Sequence, residues 1–180
     1  MSPYGTLTPP VDEGDHTIGR KDAPNTLVQY GDFECPYSGK AFSTVKKLRE
    51  SLSDETLFVY RLFPILPKHK HAQQAAEASE AAAAQGRFWE YHDVLYDHQT
   101  ELTEKDLVGY ARGLGLDIDR FRRQLVGREF EARVAEDQRG GQESGVYGTP
   151  TFFINGRIYE GYYEYRELYD ALIKEARARK

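Results

Sequence analysis

A single cysteine, Cys35, stands in a chain of 180 residues, so no internal disulfide can form and packing with hydrogen bonding must hold the fold. Basic charge is also short: 24 Lys and Arg against 29 Asp and Glu leave a formal net charge of −5. A chain of that sign has no electrostatic footprint for nucleic acid or for an anionic membrane, and neither is expected as a partner. Long apolar runs are missing too, since none approaches the roughly 20 residues that a membrane-spanning helix needs. Residues 1–15 lack the basic-then-apolar order of a signal peptide. The expected location is therefore cytoplasmic, or extracytoplasmic if a leader has been removed.

What the sequence does hold is 39% hydrophobic and 13% aromatic residues, enough for one domain with a real core. Residues 1–14, rich in Pro, Gly, Asp and Thr, read as a flexible tail on the surface, and His16-Thr17-Ile18 as a short extended piece. Thr26 to Tyr30 and Leu57 to Phe63 read as central strands. Between them Ala41, Phe42, Val45, Leu48 and Leu52 recur at helical spacing, which predicts a helix from about Pro36 to Leu52. From Pro64 to Gly145 the pattern turns to successive helices. Thr103 with Asp106 resembles a capping box, Asp117 or Asp119 could open another helix, and Phe130 with Val134 marks one before Gly140-Gly141. Strand signals resume at Thr151 to Ile154, turn at Asn155-Gly156 and continue through Tyr159, followed by a last helix from Tyr165. The expected organisation is an α/β core over 15–63 and 146–180, interrupted by an α-helical insertion over 64–145.

Cys35 follows a strand and precedes Pro36, a residue favoured at the first turn of a helix because its missing N–H costs nothing there. As N-cap, the sulfur would face unpaired backbone N–H groups and the positive end of the helix dipole, both of which favour thiolate over thiol. Ser38 is expected to donate its hydroxyl to the same sulfur. The second element is Gly148-Thr149-Pro150-Thr151, where a proline opens a strand; taken alone it reads as an ordinary turn proline in trans.

Together, Asp15 to Gly19, Ala23 to Tyr37, Gly148 to Gly156, His71-Ala72, Gln85 to Trp89 and His92-Asp93 resemble the DsbA-like thioredoxin-fold proteins. The resemblance implies a thioredoxin-like fold with an α-helical insertion and thiol–disulfide chemistry at Cys35. It also implies a cis Pro150 beside that sulfur, with Thr149 presenting backbone to an extended substrate and Pro36 and Tyr37 flanking it. No cofactor is implied beyond glutathione or another low-molecular-weight thiol as co-substrate, and the implied partner is a protein or small-molecule disulfide. Two departures stand out. Redox-active members carry Cys-x-x-Cys, whereas here Ser38 holds the resolving position, either naturally or as a replacement that traps substrate. The buried carboxylate often found six residues before the nucleophile is Gln29 here. Asp32 and Glu34 lie nearer, and a carboxylate facing the sulfur would oppose the dipole.

His69, His71, His92 and His98 have no metal-ligand spacing and read as surface or satisfied core histidines. Tyr147, Tyr159, Tyr162, Tyr163 and Tyr165 read as core and strand packing rather than as a groove. Arg120, Arg122, Arg123 and Arg128 read as a solvated helix face, and the alanines at 81–84 as close helix packing. The leading expectation is a thiol–disulfide oxidoreductase working through Cys35 with an external resolving thiol. The alternatives are a redox-inactive protein binding an extended peptide or small ligand at the proline edge, and a thiol peroxidase.

Overall fold

The structure is a computed structural model that describes residues 5–178, so residues 1–4 of the expected tail and 179–180 of the last core segment lie outside it. Strands β1 (His16–Ile18), β2 (Asn25–Gly31), β3 (Thr56–Leu62), β4 (Thr151–Ile154) and β5 (Arg157–Tyr159) form one mixed sheet in the order β1-β3-β2-β4-β5. β2 and β3 run parallel, with Val28 opposite Val59, and α1 (Pro36–Ser51) makes the crossover between them. β4 lies antiparallel on the other side of β2, and the β4–β5 hairpin turns at Asn155 and Gly156. Both turn residues have positive φ, 53° and 80°, which is the backbone that an Asn-Gly pair tolerates best.

Side chains alternate across the sheet as the period of two requires. Leu27, Phe58, Phe152 and Ile154 meet Val45 and Leu48 of α1 and Leu168 and Leu172 of α7 (Tyr165–Ala178). Leu48, Leu168 and Leu172 are completely buried, and each such side chain stabilises the fold by about 1.5–3 kcal/mol. On the opposite face Val28, Tyr30, Leu57, Val59 and Phe153 pack against Leu7 and Val146.

Between β3 and β4 come only helices: α2 (Ala72–Ala83), α3 (Phe88–Asp97), α4 (Glu104–Gly113), α5 (Ile118–Val126) and α6 (Glu131–Glu143). Their starts follow the expected chemistry. Thr103 and Asp106 form a reciprocal capping box on α4, and the Asp117 carboxylate accepts from the Arg120 amide at the head of α5. Fully buried Ala78, Ala81 and Ala82 let α2 lie close to its neighbours, and the insertion's core runs on into Phe33, Phe42 and Tyr60. Arg120, Arg122 and Arg123 are exposed, while Arg128 reaches Glu77 at 2.7 Å. No described helix is long and apolar enough to cross a membrane.

Two expectations are corrected. Residues 5–14 do not form a free tail: Thr6 bridges to Arg157, the Leu7 amide donates to the Gly156 carbonyl at 2.9 Å, and Leu7 is buried. The anchor is Arg61 on β3, whose guanidinium donates to Asp15 at 2.7 and 2.9 Å, to the Pro9 and Pro10 carbonyls and to the Tyr30 hydroxyl. Such a buried arginine is tolerable only with its donors satisfied in this way. The second correction concerns Gly140-Gly141, which do not follow a helix but lie inside α6, because the arm and the sheet approach too closely for a side chain. A Cβ on Gly140 would lie 3.0 Å from the Thr8 carbonyl oxygen, and one on Gly141 would lie 2.7 Å from the Phe63 ring.

Gly141→Ala is therefore expected to destabilise the chain by about 1–2 kcal/mol, overpacking outweighing the gain in helix propensity. Urea unfolding checks this, and a midpoint equal to or above wild type contradicts it.

Candidate active site

After β2 the chain turns through Asp32, Phe33 and Glu34 and delivers Cys35 as the N-cap of α1, in extended backbone at φ −74° and ψ 120°. The Cys35 N–H donates to the Asp32 carbonyl at 3.1 Å, and the Cys35 carbonyl accepts the first helical bond from the Gly39 N–H at 3.0 Å. Pro36 has no N–H, so the Tyr37 and Ser38 amides are the first-turn donors without an intrahelical acceptor. Cys35 is 3% exposed, and its thiol donates to the Thr149 carbonyl at 3.2 Å. Residues 114 apart in sequence thus meet at one atom pair. The Thr149–Pro150 peptide is cis, and β4 starts one residue later. Thr149 Oγ1 is buried and lacks a hydrogen-bond partner.

Of the residues singled out from sequence, Cys35, Thr149 and Pro150 are brought together, while Pro36 and Tyr37 flank them as exposed first-turn residues. Ser38 departs from expectation. It is completely buried, and its hydroxyl accepts a long bond from the Asp32 amide, 3.4 Å, rather than donating to the sulfur. The first turn of α1 aims Ser38 inward, where the Tyr96 phenol of α3 lies beside it. Tyr96 in turn shares a 2.7 Å hydrogen bond with the Tyr60 hydroxyl. Burial pushes both phenols well above their usual range, so they remain neutral hydroxyls.

The two nearby carboxylates are occupied elsewhere. Asp32 accepts from the Glu34 amide at 2.8 Å and the Ile65 amide at 2.9 Å, and it pairs with His69 Nδ1 at 2.6 Å. Glu34 accepts from the His71 amide at 2.6 Å and pairs with His71 Nδ1 at 3.1 Å. His69 and His71, read only as unsuitable metal ligands, thus turn out to be the partners of the acidic residues around Cys35. No group of three or more His, Cys, Asp or Glu side chains among the described residues is arranged to hold a metal ion. Sequence reasoning also missed Gln99, whose Nε2 donates to the Cys35 carbonyl at 2.6 Å. No local spacing signal links residues 64 positions apart. Tyr147 and Tyr162 are 77% exposed, Tyr165 is 38% exposed and Tyr37 is 58% exposed, which corrects the core-packing reading for the first three; Tyr147 and Tyr162 lie in loops between elements, and Tyr165 opens α7.

Gln29 occupies the place of the absent carboxylate, buried, with Nε2 unpartnered. Together with Val45, Trp89 and His92 it lines a small cavity, and His92 Nε2 is likewise unpartnered.

The family model described as Thioredoxin matches residues 11–175. The chain belongs to the thioredoxin family. Among solved structures, oxidised BdbD from Bacillus subtilis superposes with a TM-score of 0.85 at 23% identity, covering 97% of each chain. A thioredoxin-like oxidoreductase from Silicibacter pomeroyi DSS-3 gives 0.81 at 29% identity, covering 93% of this chain and 94% of that one. The α-DsbA1 protein of Wolbachia pipientis gives 0.78 at 18% identity, covering 94% of both. The fold is thus the thioredoxin-like fold with an α-helical insertion that the sequence led us to expect. A curated relative, Na(+)/H(+) antiporter NhaA 1 of Salinispora arenicola (strain CNS-205), is 52% identical over 165 residues, 90% of this chain but 25% of that protein. The Herminiimonas arsenicoxydans antiporter NhaA is 44% identical over 161 residues, again 25% of its length. The thioredoxin-family chain therefore spans about a quarter of the length of the curated relatives it matches.

Burial lowers the His92 pKa from its usual value, outweighing the hydrogen bond to Asp93 that would raise it, so the ring is a neutral donor to that carboxylate. A depressed folded-state value means that the unfolded chain takes the proton first, and stability is lost as pH falls below about 6.5. The destabilisation caused by His92→Phe should accordingly shrink between pH 7 and pH 5. Chemical denaturation at both pH values checks this, and a difference that stays constant contradicts it.

Proposed function

We propose that this thioredoxin-family chain is a thiol–disulfide oxidoreductase of the DsbA-like type, working through Cys35 alone with an external low-molecular-weight thiol to complete the cycle. The observation that carries the reading is the contact between the Cys35 sulfur and the Thr149 carbonyl at the N-terminus of α1. In support of the reading, the chain's only thiol lies beside first-turn amides that lack intrahelical acceptors and against the Thr149 backbone, which in this reading pairs with an extended substrate. The 29%-identical S. pomeroyi protein, described as a thioredoxin-like oxidoreductase, supports the same class.

In the proposed cycle the Cys35 thiolate attacks one sulfur of a substrate disulfide, forming the Cys35–substrate disulfide and expelling the other sulfur as a thiolate, which takes a proton from water. The first-turn amides steady the sulfur while it is negative. Thr149, Pro36 and Tyr37 contact the substrate chain, and Pro150 shapes the wall opposite Cys35. Ser38 has no thiol with which to resolve the adduct. A thiol of the glutathione class therefore attacks the substrate sulfur, carries it away as a mixed disulfide and returns Cys35 as thiolate, so that electrons and protons balance over the cycle.

A binding role without redox cycling is the second reading, favoured by the unpartnered Thr149 Oγ1 and the exposed Tyr37. Turnover of a glutathionylated peptide by reduced glutathione separates the two. Cys35→Ala should lower the rate by about 100-fold or more; a rate equal to wild type removes the enzymatic reading, whereas peptide affinity unaffected by alkylating Cys35 would support the binding one. Ser38→Cys should convert a stable one-to-one adduct with substrate into a protein that releases it and closes an internal disulfide between Cys35 and the introduced thiol. Mass spectrometry without added thiol reads both species, and persistence of the adduct in Ser38→Cys contradicts the assignment of position 38 as the missing resolving site.

A further inference from the structure

We infer that Gln99 is a positioning residue for Cys35: from the helical insertion, its carboxamide fixes the peptide that carries the sulfur and so sets how readily that sulfur attacks a disulfide. This rests on the exchange chemistry proposed for Cys35, and its test reads the thiol directly so that the two can fail separately.

Gln99 stands just beyond α3, in a turn closed by the His98 amide donating to the Val94 carbonyl at 3.1 Å and the Glu101 amide donating to the His98 carbonyl at 2.8 Å. From there its Nε2 donates to the Cys35 carbonyl at 2.6 Å. That oxygen also accepts the Gly39 amide at 3.0 Å, so both of its lone pairs are engaged. The second bond matters because Cys35 makes no side-chain capping bond of its own. Without one, the Cys35–Pro36 peptide plane is held on the helix side only, and rocking that plane swings the Cβ–Sγ bond away from Thr149.

Gly39 bears on the same contact. A glycine inside a helix costs about 0.5–1 kcal/mol relative to alanine, and the backbone at 39 is not in the left-handed region that would call for one. What a Cβ there would strike is Gln99: the three nearest atoms are its Oε1, Cδ and Nε2, with Nε2 at 3.0 Å. The carboxamide thus passes where a side chain at 39 would stand, and a Cβ there would displace it. The same end of α3 places Tyr96 against Ser38. The insertion accordingly touches both positions of the Cys35-x-x-Ser38 turn, one through a backbone oxygen and the other through a side chain.

The experiment is the second-order rate of the folded chain with 5,5′-dithiobis(2-nitrobenzoate) from pH 5 to pH 9, alongside circular-dichroism melting. Gln99→Ala should slow the reaction about 3- to 10-fold at pH 7, the loss of one hydrogen bond, and displace the pH–rate profile to higher pH. Gln99→Glu, which puts a carboxylate against the carbonyl, should slow it further. Gly39→Ala, which keeps Gln99 but displaces its carboxamide, should reproduce Gln99→Ala. The inference is overturned if Gln99→Ala and Gly39→Ala keep the wild-type rate and profile. It is equally overturned if their rates fall only in proportion to unfolded protein with the profile unmoved. Should wild type fail to turn over a glutathionylated peptide while the Gln99 variants still alter the probe rate, the enzymatic reading falls and the positioning role stands.

Discussion

Asp32 is the residue through which the turn after β2 is held to the rest of the molecule. Its carboxylate receives the Glu34 and Ile65 amides and pairs with His69, its carbonyl receives the Cys35 amide, and its own amide donates to Ser38. These bonds from one residue fix the point at which a strand becomes a helix, and that point is where the sulfur stands. A buried carboxylate is expensive unless every oxygen is used, so the loop after β3 is drawn in to use them. The cysteine's placement thereby depends on the loop after β3, not on the local Cys-Pro sequence alone.

This explains what could be read in advance and what could not. The β2–α1–β3 unit was legible because Thr26 to Tyr30 and Leu57 to Phe63 are β-prone apolar runs while Ala41, Val45 and Leu48 repeat at helical spacing, and both patterns are properties of short windows. Asn155-Gly156 and the Thr103 capping box were legible for the same reason. The pairs Asp32–His69, Glu34–His71, Arg61–Asp15 and Gln99–Cys35 join residues between 37 and 64 positions apart, and no short window contains either end's reason for being there. Gly140-Gly141 misled because glycine commonly ends helices, whereas here it admits Phe63 and the N-terminal arm into the surface of a continuing one. Ser38 was expected to face the sulfur because sequence shows proximity but not direction.

The site sits on a seam. One wall comes from the strand–helix unit and the turn before β4, the other from the insertion, whose core continues through Phe33, Phe42 and Tyr60 without a break. Behind Ser38 lie the Tyr96 and Tyr60 phenols, which share a 2.7 Å hydrogen bond and stay neutral in their burial. A serine there keeps its hydroxyl beside this pair of phenols, on the inner side of the turn, while Tyr37 of the same turn is exposed.

The arm that Arg61 secures has an importance outside the site. β5 is the last strand on its side of the sheet, and its outward amides and carbonyls would be a template for any passing extended chain. Residues 5–7 lie along it, with the Ile158 amide donating to the Gly5 carbonyl at 2.8 Å and the Leu7 amide donating back to Gly156. One guanidinium buried on β3 thus reaches the far edge of the sheet: by gripping Pro9, Pro10 and Asp15 it holds the start of the arm, and with it the protein's own backbone lies along β5.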